Sequence, residues 1–180
     1  MRVFEPIPDE SSQLAHPADP KDFETVIVSI DGTPRAPSWH PIDFVIVAAD
    51  EGKRLREVDM PWLGSHALIV TRRALDALSS IVCGHAESLP LASQPPLWIL
   101  NPTNVLDALD VANSDVVRFS SGRIMRVRRY AFRDGLVGAL PIFKITGLRA
   151  SPTFVSDAFV EEYRAAGLTG LVFKQVWEDR

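Results

Sequence analysis

One cysteine, Cys83, stands in the whole chain. An internal disulfide is therefore excluded, and cysteine usage gives no sign of a secreted, oxidising life. Long apolar runs are missing as well. The longest, Phe44–Ala49, has six residues, against the roughly 20 that a membrane-spanning helix needs. The opening MRVFEPIPDESS carries no apolar leader region, so the expectation is a cytoplasmic protein with no membrane partner. The four histidines, His16, His40, His66 and His85, never pair at ligand spacing, and a lone thiol makes no thiolate cluster; no bound metal is expected. There is no G-x-G-x-x-G and no P-loop, and no cofactor is expected. Leu63-Gly64-Ser65-His66-Ala67 is only half of a nucleophile elbow. Cys83 precedes Gly84 at what reads as a helix C-terminus, the wrong end for lowering a thiol pKa. Cations are in slight deficit, with 19 Lys and Arg against 23 Asp and Glu, for a net charge of −4. That balance argues against a dedicated nucleic-acid binder.

What is present describes an ordinary globular chain, 46% hydrophobic and 23% charged over 180 residues, large enough to bury a core without staples. Its 14 prolines are spread among apolar segments and imply stiff turns rather than disorder. The clearest stretch is Thr153–Val176. Phe154-Val155 ends an extended run, and Ser156 can cap a helix. Phe159, Tyr163 and Ala166 form its apolar stripe, Gly167 stops it, and Leu171-Val172-Phe173 with Val176 reads as a buried strand. Leu68–Val82 repeats the plan: Leu68-Ile69-Val70, a Thr71 cap, a helix with Leu75, Leu78 and Val82 on one side, and Gly84 as the stop. Two related strand–helix units are one explanation, and a common local pattern met twice is the other. Elsewhere the reading expects a short edge strand at Met1–Phe4, an acidic, proline-rich loop over residues 5–24, and strands at Thr25–Ile30, Phe44–Ala49, Leu97–Leu100 and Pro141–Ile145. It expects a charged loop or helical turn over Asp50–Asp59. It also expects a short helix over Val105–Asp110 behind an Asn101 cap, and a β-hairpin of Val116–Phe119 and Ile124–Phe132. Strands outnumber helices. The expected fold is α+β, with a mixed or mainly antiparallel sheet and two or three short-to-medium helices. Residues 1–59, the N-terminal strands and loops, form part of the same domain or a small lobe.

The hairpin holds the densest charge. Arg118, Arg123, Arg126, Arg128, Arg129 and Arg133 fall between Asp115 and Asp134 with no acid among them. Strand alternation puts Arg126 and Arg128 on one face with Ile124 and Tyr130, and Met125, Val127 and Arg129 on the other. Arginine beside an aromatic suits phosphate or carboxylate recognition. Against this stands a solvated face whose arginines pair with the chain's own acids, which the net acidity favours. Trp39 and Trp62 fall in loops, as packed anchors or as interface residues. A small enzyme site would have to be assembled from distant groups such as His66, His85 and Asp107.

A set of short segments carries a resemblance. It comprises Leu68-Ile69-Val70-Thr71, Ala74-Leu75-Asp76-Ala77-Leu78, Glu87–Leu91, Leu100-Asn101, Val105, Asp107-Ala108-Leu109-Asp110 and Ser114. Pro141-Ile142-Phe143, Phe154–Phe159 and Ala166–Leu171 complete it. In this order they resemble the eleventh of the numbered immunity protein families of bacterial polymorphic toxin systems, over roughly residues 60–177. Met60-Pro61 departs from that pattern, where an aromatic is expected before the proline. The resemblance implies an α+β domain over residues 60–180 and a cytoplasmic, non-enzymatic bacterial protein. Such a protein binds and neutralises a cognate toxin domain, by occluding its active site. Because the matching residues are caps, stops and core positions, partner contacts are expected elsewhere, on Trp39, Trp62, Arg126 and Arg128. Two alternatives remain open at this point: an anionic-ligand or nucleic-acid binder using the hairpin 118–133, and the small enzyme.

Overall fold

Three adjacent strands carry the pairs Val3-Phe4, Ile142-Phe143 and Phe154-Val155. Side chains alternate across a strand, so each pair sends one residue to each face of the sheet. Phe4, Ile142 and Val155 enter one core cluster; Val3, Phe143 and Phe154 enter another. The rest of the molecule is layered on these two faces.

The computed structural model describes residues 1–133, 135–148 and 150–179. In order they form β1 (Arg2–Pro8), β2 (Leu14–Pro17), α1 (Asp22–Ser29), a 3-10 turn (Ala36–Ser38), β3 (Phe44–Val47), β4 (Ala49–Asp50), β5 (Lys53–Arg54) and β6 (Leu68–Thr71). Next come α2 (Arg72–Val82), β7 (Ala86–Pro90), β8 (Leu97–Pro102), β9 (Val105–Leu106), β10 (Asp115–Arg118) and β11 (Ile124–Arg129). The described chain closes with β12 (Ile142–Ile145), β13 (Phe154–Ser156), α3 (Asp157–Ala165) and β14 (Leu171–Glu178). A five-stranded sheet runs β14-β1-β13-β12-β9, and a three-stranded sheet runs β6-β8-β7; β10-β11, β2-β3 and β4-β5 are two-stranded. Only the β9–β12 ladder is parallel among these pairs. The fold is α+β and mainly antiparallel.

Helices α2 and α3 share one layer. Ala74, Leu78 and Val82 of α2 meet Phe159, Val160 and Tyr163 of α3, with Leu68, Val70 and Leu100 of the small sheet and Phe4 and Val155 of the large one. Ile69, Leu97 and Ile99, on the far face of the small sheet, pack on Val26 of α1, on Ile30 just past its end and on Phe44. Both strand–helix units are present. Thr71 Oγ1 caps α2 by accepting from Ala74 N at 3.4 Å. Ser156 occupies the equivalent position before α3, but its hydroxyl is buried with no partner among the described residues.

Several expectations are overturned, each for a physical reason. Thr25–Ser29 is the C-terminal part of α1, with Ile30 as its C-cap, not a strand. Val26 and Ile30, four residues apart, bury together against the small sheet, and that packing overrides the β-branched propensity. The helix expected at Val105–Asp110 begins instead as β9. Asn101 caps nothing: its side chain accepts from Gly32 N and donates to Thr33 O, and so pins the loop after α1. β1 is not an edge strand ending at Phe4. It lies between β13 and β14, and its prolines Pro6 and Pro8 fall beyond Phe4, where only β14 continues alongside. There a missing N–H on the open side is tolerated. The rest of the supposed loop 5–24 supplies β2 and the start of α1, and Asp50–Asp59 includes the β4–β5 hairpin. β14 is an edge strand of which only Leu171 is buried.

Residues 59–60 are zipped onto 167–170. The Asp59 carboxylate accepts from Thr169 N and Thr169 Oγ1 and pairs with Arg73 at 2.7 Å, and Met60 N donates to Thr169 O. Burial pushes the Asp59 carboxyl up, but these bonds together outweigh it and hold the group below its ordinary range. Gly170 closes the contact with φ +112, and a Cβ there would stand 2.4 Å from the Met60 carbonyl oxygen. Gly170→Ala is therefore expected to lower stability by about 2 kcal/mol or more, read from the urea unfolding midpoint.

Candidate docking surface

The hairpin β10–β11 covers the second face of the large sheet. Val116, Ile124, Val127 and Tyr130 pack onto the cluster of Val3, Phe143 and Phe154. The half-buried positions 124, 127 and 130 are spaced by three, not two. The reason is the pairing register: Val116 faces Val127, Val117 faces Arg126 and Arg118 faces Ile124, with irregularities before Val116 and before Arg118. A bulge adds a residue to one strand and turns the next side chains to the other face. This corrects the alternation expected for Ile124–Tyr130: Met125, Arg126, Arg128 and Arg129 are all exposed.

The turn is held by Phe119 N donating to Arg123 O, by Gly122 N donating to Phe119 O, and by Arg118 Nη1 donating to Gly122 O at 2.7 Å. Gly122 has φ +83, the left-handed conformation such a turn requires. Arg123 lies over the Phe119 ring at 5.6 Å. Arg133 pairs with Asp107 at 3.1 Å. Among the described residues it is the only arginine of the six paired with a carboxylate. Beside these cations Phe119 is 44% and Met125 49% exposed.

A cleft of about 420 Å³ opens under the hairpin, between Ile124, Val127 and Tyr130 on one side and Leu148, Ala150 and Pro152 on the other. Arg126 stands at its lining, and so does Glu5 of β1. Burial raises the Glu5 carboxyl, against the opposing effects of Lys174 and a bond from Ser65. Burial, with the Glu5 charge adding to it, pushes the Tyr130 phenol up. Arginine, methionine and aromatic side chains around an apolar depression match the composition of protein interfaces.

The four residues singled out from the sequence lie in three different places. Trp39 packs half-buried beside the α1 cluster and donates from Nε1 to Pro90 O at 2.7 Å. Trp62 packs against the α2–α3 cluster while its backbone bonds Gln13 and Ala15. Arg126 and Arg128 stand on the exposed hairpin. Phe119 and Met125 were missed by sequence reasoning; their place beside the Gly122 turn was the available signal.

His66, His85 and Asp107 each have separate surroundings. His85 Nδ1 is 3.0 Å from the donating amide of Asn104. Asp107 pairs with Arg133 and accepts from Thr146. His66 is pulled down to about 4 by burial and by the Lys144 charge. Lys144 itself is 1% exposed; its Nζ donates to His66 O at 2.6 Å and Ser151 O at 2.9 Å, and burial brings it to about 7. A lysine tuned this far can serve as a nucleophile, but its amine is sealed from solvent. It ties β12 to two loops. Cys83 is exposed at the end of α2. Among the described residues no three His, Cys, Asp or Glu side chains gather in a way that could hold a metal, and no helix is long and apolar enough to cross a membrane.

The sequence model of the immunity protein family Imm11 matches residues 24–178, leaving only the first 23 residues and the last two outside. The chain belongs to the Imm11 immunity protein family. The match begins well before the 60–177 span of the sequence resemblance and adds β3, β4, β5 and all of α1 but its first two residues. β1 and β2 of this Imm11 chain lie outside it. Among curated proteins nothing matches.

Proposed function

We propose that this chain binds a toxin domain and neutralises it, acting in the cytoplasm of the bacterium that makes it or of its siblings, and without chemistry of its own. The observation that carries this reading is the Imm11 match over residues 24–178. The separate surroundings of His66, His85 and Asp107 support it. So does the sealed amine of Lys144, because an inhibitor needs a rigid scaffold and one complementary surface of about 800 Å² a side rather than a reactive pocket. Neutralisation is by occlusion of the toxin's active site or of its substrate entry. Arg126 and Arg128 make direct contact, while Trp39 and Trp62 act by holding the loops that carry them.

Co-expression with the product of the adjacent gene tests this. The expected result is a stoichiometric complex and restored growth of cells otherwise killed by that product. A harmless neighbour that fails to bind removes the reading.

A further inference from the structure

We propose that the toxin docks on the β10–β11 hairpin and the cleft beneath it, through an acidic segment that places one apolar side chain into the cleft between carboxylates held by Arg126 and Arg128. This rests on the toxin-binding reading above and deepens it by naming the chemistry of the recognised element.

Two observations fix the occupant. Arg118, Arg123, Arg126, Arg128 and Arg129 lack a carboxylate partner among the described residues, in a chain whose net charge is −4. Positive charge in excess on one exposed hairpin of an acidic protein, where Asp115 opposite Arg129 is the one acid in the ladder, is complementary to an acidic partner surface, and it steers association. Beside Arg126 the cleft wall is mostly apolar, aliphatic side chains with the Tyr130 ring among them, and the Glu5 carboxylate is set into it. Phosphates or carboxylates are repelled from that depth and stay at the rim. An apolar side chain fits the depth, and Glu5 is placed to accept from a backbone N–H of the inserted segment. A nucleic acid fits less well. It would bring phosphates toward Glu5, and the hairpin offers Phe119 as a single exposed ring, shared with the Arg123 guanidinium, whereas single-strand binding stacks successive bases on several aromatic side chains.

The test is titration of the full chain with the product of the adjacent gene. Arg126→Glu with Arg128→Glu is expected to weaken binding by about 100-fold and to abolish growth rescue. The milder Arg126→Gln with Arg128→Gln is expected to weaken it by about tenfold. Lys53→Glu with Arg54→Glu, the same charge change on the exposed β4–β5 hairpin, is expected to leave affinity unchanged. Circular dichroism of the variants should match the parent, since both arginines are exposed. If the parent binds and rescues while the hairpin variants bind as well as it does, the docking surface is overturned and the immunity reading stands. Equal weakening by the control pair also overturns it, because a long-range field would then suffice. Hairpin-dependent retention of single-stranded RNA at physiological salt, with toxin binding unaffected, overturns it in favour of nucleic acid. A parent that binds no neighbouring product overturns both readings.

Discussion

Phe154→Ala is expected to lower the unfolding free energy by about 3–5 kcal/mol. Phe154 is fully buried at the crossing of four rings. It stacks on Phe143 at 5.5 Å and meets Tyr130 and Phe132 edge-on at 5.0 and 5.4 Å. Truncation removes the transferred area and leaves a cavity that those rings, each held by others, cannot close. A pair such as Phe143–Phe154 also contributes about 0.5–1.5 kcal/mol beyond area. The measurement is urea unfolding followed by tryptophan fluorescence, with Trp177, 5.7 Å from Phe132, as a local reporter. Phe119→Ala, on the exposed turn, is the contrast and should shift stability by no more than about 0.5 kcal/mol. Equal losses from the two would mean that the aromatic cluster does not anchor the hairpin.

Raising the pH from 7 to 10 is expected to stabilise the protein by roughly 3 kcal/mol. Lys144 has a folded-state pKa of about 7, lowered from 10.5 by burial. Between those values the unfolded chain holds a proton that the folded chain has released, so stability rises with pH across this window. Below 7 both states are protonated, and the folded state bears the penalty of a buried ammonium whose hydrogen bonds go to carbonyl groups, offset in part by the Asp31 charge. Above about 10 the trend turns, because the raised phenols of Tyr130 and Tyr163 ionise first in the unfolded chain. A second window lies in acid. His66, at about 4 when folded, loses its contribution as pH falls from about 6.5 to 4, partly offset by the raised Glu5 carboxyl. Lys144→Met is expected to flatten the upper window. It leaves the Ser151 carbonyl without its donor, at about 1–3 kcal/mol. A pH profile that Lys144→Met leaves unchanged would show that the amine is not the titrating group.

The strand–helix units were legible because their signals are local: a hydroxyl before the helix, a glycine after it, an apolar stripe between. α1 was not, because Val26 and Ile30 are also what a strand would use, and only the sheet beneath them selects the helical spacing. Asn101-Pro102 reads as a helix start until the partners of the Asn101 amide, Gly32 and Thr33, are known; they lie nearly seventy residues away. At the hairpin the arginines were evident from the sequence. Which of them face out was not, since two register irregularities undo simple alternation. The lysine in Ile142–Ile145 was a signal of another kind. A cation inside an apolar strand marks carbonyls that need a donor, and those carbonyls come from His66 and Ser151, which no spacing reveals.

The place of β1 bears on when the protein can come into being. Its neighbours in the sheet are residues 154–156 and 171–178. On the ribosome β1 emerges long before residues 154–156 and 171–178 and waits for them before either flank is filled. Joining segments this distant in sequence slows folding more than it weakens the product. Meanwhile Val3 and Phe4 lie on an open strand that invites wrong pairing. A chain cut short before residue 171 keeps the helices and the hairpin but loses the longest ladder of the sheet. Whatever binding this molecule performs therefore awaits the synthesis of residues 171–178, and chains lacking them are left to the cell's quality control.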